Sequence, residues 1–219
     1  MTTRKVPVIE RIMGANDTQA ADNRQAFDRH GIHVINIMAS PGAGKTSLIL
    51  ETVKRLKDEI RIAAIEGDLA STVDTDKVKA GGVPAVQINT GGGCHLDANQ
   101  VAKSLSDLPM DDLDLVFIEN VGNLVCPAGF ALGEHTRLVI SSVPEGDDKP
   151  YKYPKMFANV DALVINKIDL IPYLPFDIEA YTELVRGINP EIDVFAVSCV
   201  SGEGMDAWTT WLRGLVQEK

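Results

Sequence analysis

From residue 33 onward, short runs of consecutive apolar residues alternate with stretches in which apolar side chains recur every three or four positions. By this pattern 33–38, 61–66, 85–88, 113–119, 136–142, 162–166 and 194–198 read as strands, and 45–58, 74–80, 97–107, 153–158, 176–187 and 204–217 as helices. Runs such as Leu115-Val-Phe-Ile118 and Ala162-Leu-Val-Ile165 carry no polar alternation, which suits strands covered on both faces. Strands joined by helices imply right-handed βαβ units. The expected fold is a doubly wound α/β domain with a mainly parallel sheet. Ahead of it, apolar residues at helical spacing between Val8 and Phe27 predict a helical arm over 1–30, interrupted at Gly14 and packed as a cover on a domain spanning 31–219.

Composition narrows the range of partners. Lys plus Arg number 21 against 31 Asp plus Glu, a formal net charge of −10, so the summed field repels nucleic-acid backbones and anionic lipid. No apolar run reaches the roughly 18 residues a membrane helix needs, and the first residues lack the apolar core of a signal peptide. A cytoplasmic protein with no nucleic-acid or membrane partner is expected. Three cysteines are too few for a disulfide framework and read as free thiols, metal ligands or packing.

The chemistry begins at Ala39-Ser-Pro-Gly-Ala-Gly-Lys-Thr46, set between a strand and a helix. This is the phosphate-binding loop G-x-x-x-x-G-K-[ST] with Ala39 at its first position. Backbone N–H groups must turn inward to hold the α and β phosphates, and Gly42 and Gly44 allow that curvature. Ala43 lies between them, and Ser47 follows in the first helical turn. Lys45 offers charge at the β and γ phosphates, and the Thr46 hydroxyl is a magnesium ligand. Both groups are expected to face solvent until nucleotide arrives.

Two acidic strand ends extend the site. Glu119 closes an apolar strand in E-x-x-G, where the acid can hold a magnesium water and the Gly122 amide can reach a γ-phosphate oxygen. Asp68, in Ile65-Glu-Gly-Asp68, is the second candidate for the magnesium shell. Asn123 stands where a water-orienting glutamine would follow Gly122, so slow intrinsic hydrolysis is expected.

Asn166-Lys-Ile-Asp169 follows a buried strand and reads as a base-recognition loop. The Asp169 carboxylate can accept from N1–H and the 2-amino group of guanine, and adenine offers neither donor. Asn166 would brace the loop, and the Lys167 stem would cover one face of the ring. Ser198 and Cys199, in Ser198-Cys-Val-Ser-Gly202, stand where the S-A-x loop of GTPases lies, with Cys199 in place of the usual Ala. GTP is favoured over ATP, which argues against an ATP-dependent kinase or ligase.

Cys94 and His95 follow three glycines, and Asp97 stands ready to cap the next helix. Cys126 lies four residues beyond Gly122. Two thiolates and an imidazole would suit Zn²⁺ or Ni²⁺, with a fourth position from water or another chain.

Together Ala39–Thr46, Ile65–Asp68, Gly92-Gly-Cys-His95, the run Phe117-Ile-Glu-Asn-Val-Gly-Asn-Leu-Val-Cys-Pro127, the run 148–157, Asn166–Asp169 and Gly202-Glu-Gly204 resemble the hydrogenase nickel-incorporation GTPases, the HypB family. The resemblance implies a P-loop NTPase of the SIMIBI type using GTP, GDP and Mg²⁺. It implies metal binding through Cys94, His95 and Cys126 and a homodimer formed with GTP. It also implies work alongside other hydrogenase maturation proteins and the large subunit of a [NiFe]-hydrogenase. The urease accessory GTPases, whose metal motif is Cys-Pro-His, fit less well, since the pairs here are Cys94-His95 and Cys126-Pro127.

Overall fold

The computed structural model describes residues 8–68 and 73–217. Seven strands form one sheet, β1 (His33–Ala39), β2 (Ile62–Asp68), β3 (Ala85–Asn89), β4 (Leu115–Glu119), β5 (Thr136–Ser142), β6 (Ala162–Asn166) and β7 (Asp193–Ala196). Their order is β3-β2-β4-β1-β5-β6-β7, with every pairing parallel. An all-parallel sheet needs a crossover after each strand, and the alternating pattern of the sequence supplies one. The direction of winding reverses at β1, where such folds bind ligands beyond the carboxyl ends of the strands.

The helices are α1 (Val8–His30), α2 (Lys45–Leu56), α3 (Val73–Ala80), α4 (Ala98–Ser104), α5 (Lys149–Lys152), α6 (Pro154–Ala158), α7 (Ile178–Ile188) and α8 (Met205–Gln217). Strand periodicity sends Ile35, Ile37 and Ala39 to one face, packed with Leu48 and Val53 of α2 and Trp208 and Leu212 of α8. On the other face Met38 and Val139 meet Phe157, Tyr181 and Val185. Val34, Val116 and Ile65 meet Phe27 of α1 and Val101 of α4 there. The arm is thus part of the core, and Asn23 seals it by donating to the carbonyls of Ala98 and Leu132 at 2.8 and 2.9 Å.

Three expectations need correction. Gly14 does not interrupt α1; a side chain there would meet nothing within 4 Å, so the helix continues past an exposed position at a cost near ~1 kcal/mol. The helix expected over 97–107 ends at Ser104 and tightens into a 3-10 turn at Leu105–Asp107. The final strand stops at Ala196, so Ser198 lies in the loop beyond it. Asp97 does cap α4, in a reciprocal capping box with Gln100.

Candidate functional site

Every candidate group lies at the carboxyl end of a strand or on the segment that follows one. After β1 the chain turns through Gly42 and Gly44 at φ +78° and +103° into α2. A Cβ at Gly44 would lie 2.3 Å from Asn166 Nδ2, so only glycine lets the phosphate loop and the end of β6 approach this closely. The Asn166 amide donates to the Ala43 carbonyl at 3.0 Å, and Lys167 Nζ donates to the Gly42 carbonyl at 2.7 Å. Lys167 itself has φ +63°, a strained conformation for a side-chain-bearing residue, held by its N–H bonding back to Asn166 Oδ1. The base loop is therefore strapped onto the phosphate loop. Ser47 is exposed in the first turn of α2.

Asp169 follows on a 3-10 turn and accepts the Ser198 hydroxyl at 2.6 Å. Ser198 Oγ in turn accepts from the Val200 and Ser201 N–H groups, so one hydroxyl orients the carboxylate and shapes the loop. Cys199 Sγ lies 3.5 Å from Asn166 Oδ1, and burial pushes its thiol up to about 11. It packs as a neutral group.

Lys45 and Thr46 depart from expectation, because Lys45 is buried, Thr46 is half-buried, and both turn toward Glu119. Thr46 Oγ1 lies 3.1 Å from both Glu119 oxygens, and Lys45 Nζ lies 3.7 Å from Oε1. Lys45 is 9% exposed and Glu119 6%. The cause is the sheet register, which sets the end of β4 beside β1 and brings the acid under the first turn of α2. A cavity of about 240 Å³ opens here, lined among others by Lys45, Glu66, Asp68, Glu119 and Gly122. Three carboxylates share this cavity with the Lys45 ammonium, and Thr46, Asp68 and Glu119 present the kind of oxygen donors that hard cations prefer. Gly122 lies against the phosphate loop, since a Cβ there would come 2.9–3.1 Å from Pro41.

Sequence reasoning passed over several residues here. Glu66 is a second buried acid in this cavity, in register with Glu119 across β2 and β4. An acid ending an apolar strand was its signal, and Asp68 drew that reading instead. Of Asn120 and Asn123, either side of Gly122, the sequence marks only Asn123, as the residue standing where a water-orienting glutamine would follow, and gives Asn120 no role. Both bond to the Cys94-His95 loop.

Cys94, His95 and Cys126 come together, with one ligand atom from each lying within 4.8 Å of the others. Cys94 Sγ is 3.5 Å from His95 Nδ1. Cys94 is exposed, and the other two are half-buried. Its hydrogen bond to Cys126 raises the Cys94 thiol, with a further push from desolvation. Burial lowers His95, whose ring lies 4.1 Å from that of Phe130, and Asp97 opposes that shift. The lowered value favours the neutral imidazole, the form whose lone pair can bind a metal. Two sulfurs and a nitrogen suit a borderline cation such as Ni²⁺ or Zn²⁺.

Comparison with known proteins identifies the family and the fold. The family described as CobW/HypB/UreG, nucleotide-binding domain, matches residues 33–196. Hydrogenase maturation factor HypB of Escherichia coli strain K12 is 48% identical over 214 residues, 97% of this chain and 74% of that protein. The crystal structure of HypB from Helicobacter pylori in complex with nickel superposes with a TM-score of 0.89 at 36% identity, covering 93% of this chain and 96% of that one. HypB from Archaeoglobus fulgidus gives a TM-score of 0.87 at 39% identity, covering 93% and 99%. With a P-loop nucleotide site and a relative 48% identical over 97% of this chain, the chain belongs to the HypB family of hydrogenase maturation factors.

Proposed function

We propose that the protein is a GTP-hydrolysing nickel metallochaperone that assists nickel insertion into a [NiFe]-hydrogenase, and that its nucleotide state governs metal binding and dimerisation. The observation that carries this reading is the meeting of Cys94, His95 and Cys126 within 4.8 Å, on loops that adjoin the phosphate cavity. Nickel is cargo, and three donors with an exposed Cys94 suit a site that must also let it go.

The Asp169 carboxylate, oriented by Ser198, selects guanine. Phosphates lie along the cradle of Gly42, Ala43 and Gly44, at the N-terminus of α2, with Lys45 at the β and γ oxygens. Thr46, Asp68 and Glu119 would hold Mg²⁺, which neutralises charge on those oxygens when bound. Lys45 and Thr46 then exchange their contacts with Glu119 for contacts with nucleotide and its cation. Asn123 supports slow turnover, because its side chain is engaged with the Cys94 carbonyl and the Val125 N–H and does not orient water.

Two chains meeting across their nucleotide faces would let both contribute ligands to one interfacial metal, which would favour the GTP-bound dimer. The other maturation proteins and the hydrogenase large subunit are the partners this reading calls for. The work belongs in a reducing cytoplasm, where the thiols stay available; among the described residues no helix is long and apolar enough to cross a membrane.

Titration of Ni²⁺ and Zn²⁺ into protein held with GDP, and with a non-hydrolysable GTP analogue, tests the reading. Metal affinity should differ between the two states, and GTP affinity should differ by the same factor with and without metal. Identical metal affinities in both states would refute the coupling, and unchanged binding in Cys126→Ala would remove that residue from the site.

A further inference from the structure

The Cys94-His95-Leu96 tripeptide is held at both ends by side chains of the segment that follows β4. At one end Asn120, only 1% exposed, accepts from the Leu96 N–H through Oδ1 at 3.0 Å. At the other, Asn123 Nδ2 donates to the Cys94 carbonyl at 3.3 Å. His95 lies between these two anchor points. Gly122 lies between the two asparagines, packed against Pro41 of the phosphate loop.

Each asparagine is also tied to its own surroundings. Asn120 Oδ1 accepts from the Val121 N–H as well, its backbone N–H bonds to the Ile37 carbonyl of β1, and Nδ2 donates to Asn36 Oδ1. Asn123 Oδ1 accepts from the Val125 N–H at 2.7 Å and the Cys126 N–H at 3.4 Å, so the same side chain that grips Cys94 shapes the turn bearing Cys126. A third contact reinforces the pair. The fully buried Leu96 side chain packs onto Gly67, where a Cβ would come within 2.7–2.9 Å of it, and Gly67 lies between the cavity acids Glu66 and Asp68.

We infer that Asn120 and Asn123 are positioning residues that transmit the state of the phosphate site to the metal donors, by holding Leu96 and Cys94 on either side of His95. The inference rests on the nucleotide-dependent metal binding proposed above and assigns it a physical route. Movement of Gly122 against the phosphate loop displaces residues 120 and 123 together. Through them it shifts all three donors: Cys94 and His95 by the two cross-loop bonds, Cys126 by the turn at Asn123. Two short side-chain bonds can be remade in a second arrangement, which a two-state element requires.

The readout is the ratio of nickel dissociation constants with GDP and with a non-hydrolysable GTP analogue. Loss of a merely structural support would change both constants by one factor and leave the ratio alone. Asn123→Ser keeps an oxygen for the Val125 N–H and removes the donor to Cys94, and Asn120→Ser shortens the side chain away from Leu96. Each should bring the ratio toward one, and the double variant to within twofold of one. Asn120→Asp keeps acceptor oxygens for Leu96 and Val121 and should retain the wild-type ratio. If Asn120→Ser fails to fold by circular dichroism, Asn123→Ser decides alone, since its side chain is only partly buried. A wild-type ratio persisting in the folded serine variants overturns the inference while leaving the coupling intact; a ratio of one in the wild type overturns both.

Discussion

Lys45 is 9% exposed and lies against the Glu119 carboxylate, where a loop braced from behind by Asn166 enters α2, whereas Cys94 lies exposed after three glycines with its carbonyl held by one asparagine side chain. The phosphate and base loops hang from the ends of buried parallel strands and share bonds with one another. The metal donors sit on two loops joined across by the Asn123–Cys94 bond, the neighbouring Asn120–Leu96 bond and the contact of the two cysteines. The difference is one of preorganisation. On the proposed function, a site that reads guanine and aims charge at phosphates gains from rigid walls. A site that must take up and release a metal ion gains from donors with low local stability.

The contrast can be broken most sharply at Lys45. Lys45→Ala should lower GTP turnover by roughly 100-fold or more, since it removes the charge aimed at the β and γ phosphates. Hydrolysis at the wild-type rate with a normal circular dichroism spectrum would show that this preorganised group does no chemistry.

Asp169→Asn should weaken GTP by roughly tenfold to a hundredfold and favour xanthosine triphosphate, whose C2 carbonyl can accept from the new amide. Competition binding reads the switch. Equal wild-type affinity for ATP and GTP would end the guanine assignment.

Two left-handed glycines sharpen the comparison further. Gly44, at φ +103°, has Asn166 Nδ2 2.3 Å from where a Cβ would stand, whereas Gly92, at φ +96°, has nothing within 4 Å. Gly44→Ala adds a clash to backbone strain and should cost about 2 kcal/mol or more of stability along with GTP binding. Gly92→Ala carries the strain alone, about 1 kcal/mol, and should alter metal affinity while sparing GTP. Thermal melts and nucleotide titrations of both check this; equal losses would mean that the two loops are equally rigid.

The smallest effect concerns thiol chemistry. With its thiol pushed up to about 11 by burial, Cys199 is almost wholly protonated at pH 8, and its alkylation should accelerate as pH rises toward that value. Exposed Cys94 should label faster than Cys199 at pH 8, and Ni²⁺ should protect Cys94 without protecting Cys199. Mass spectrometry of peptides bearing each cysteine reads the order, and protection of Cys199 by nickel would misplace the metal.

Much of this architecture is written locally. Uninterrupted apolar runs such as Leu115–Ile118, set between helical stretches, require strands covered on both faces, and hence crossover helices and parallel pairing. Ala39–Thr46 announces a phosphate loop because glycine positions, lysine and hydroxyl serve one chemistry at one spacing, and the base-loop proposal for Asn166–Asp169 rests on the same kind of spacing. Gly14 misled because one glycine in a solvent-facing turn costs less than the packing of the rest of α1 returns. The break at Ser104 and the short β7 were lost because element ends depend on neighbouring turns and packing, which periodicity does not report.

What the sequence determined by itself, then, is which residues can do chemistry, since donor atoms, charge and backbone freedom belong to residues and short motifs. Only the tertiary structure decided how those residues meet. Glu119 reaches Lys45 and, 73 positions away along the chain, Thr46 because β4 pairs with β1. Glu66 enters the same cavity because β2 lies next to β4. Cys126 meets Cys94 and His95, and Asn120 and Asn123 grip the loop between them, because the crossovers bring the loops after β3 and β4 together at one end of the sheet. Such contacts depend on strand order and register, properties of the packed sheet that no short stretch of chain contains.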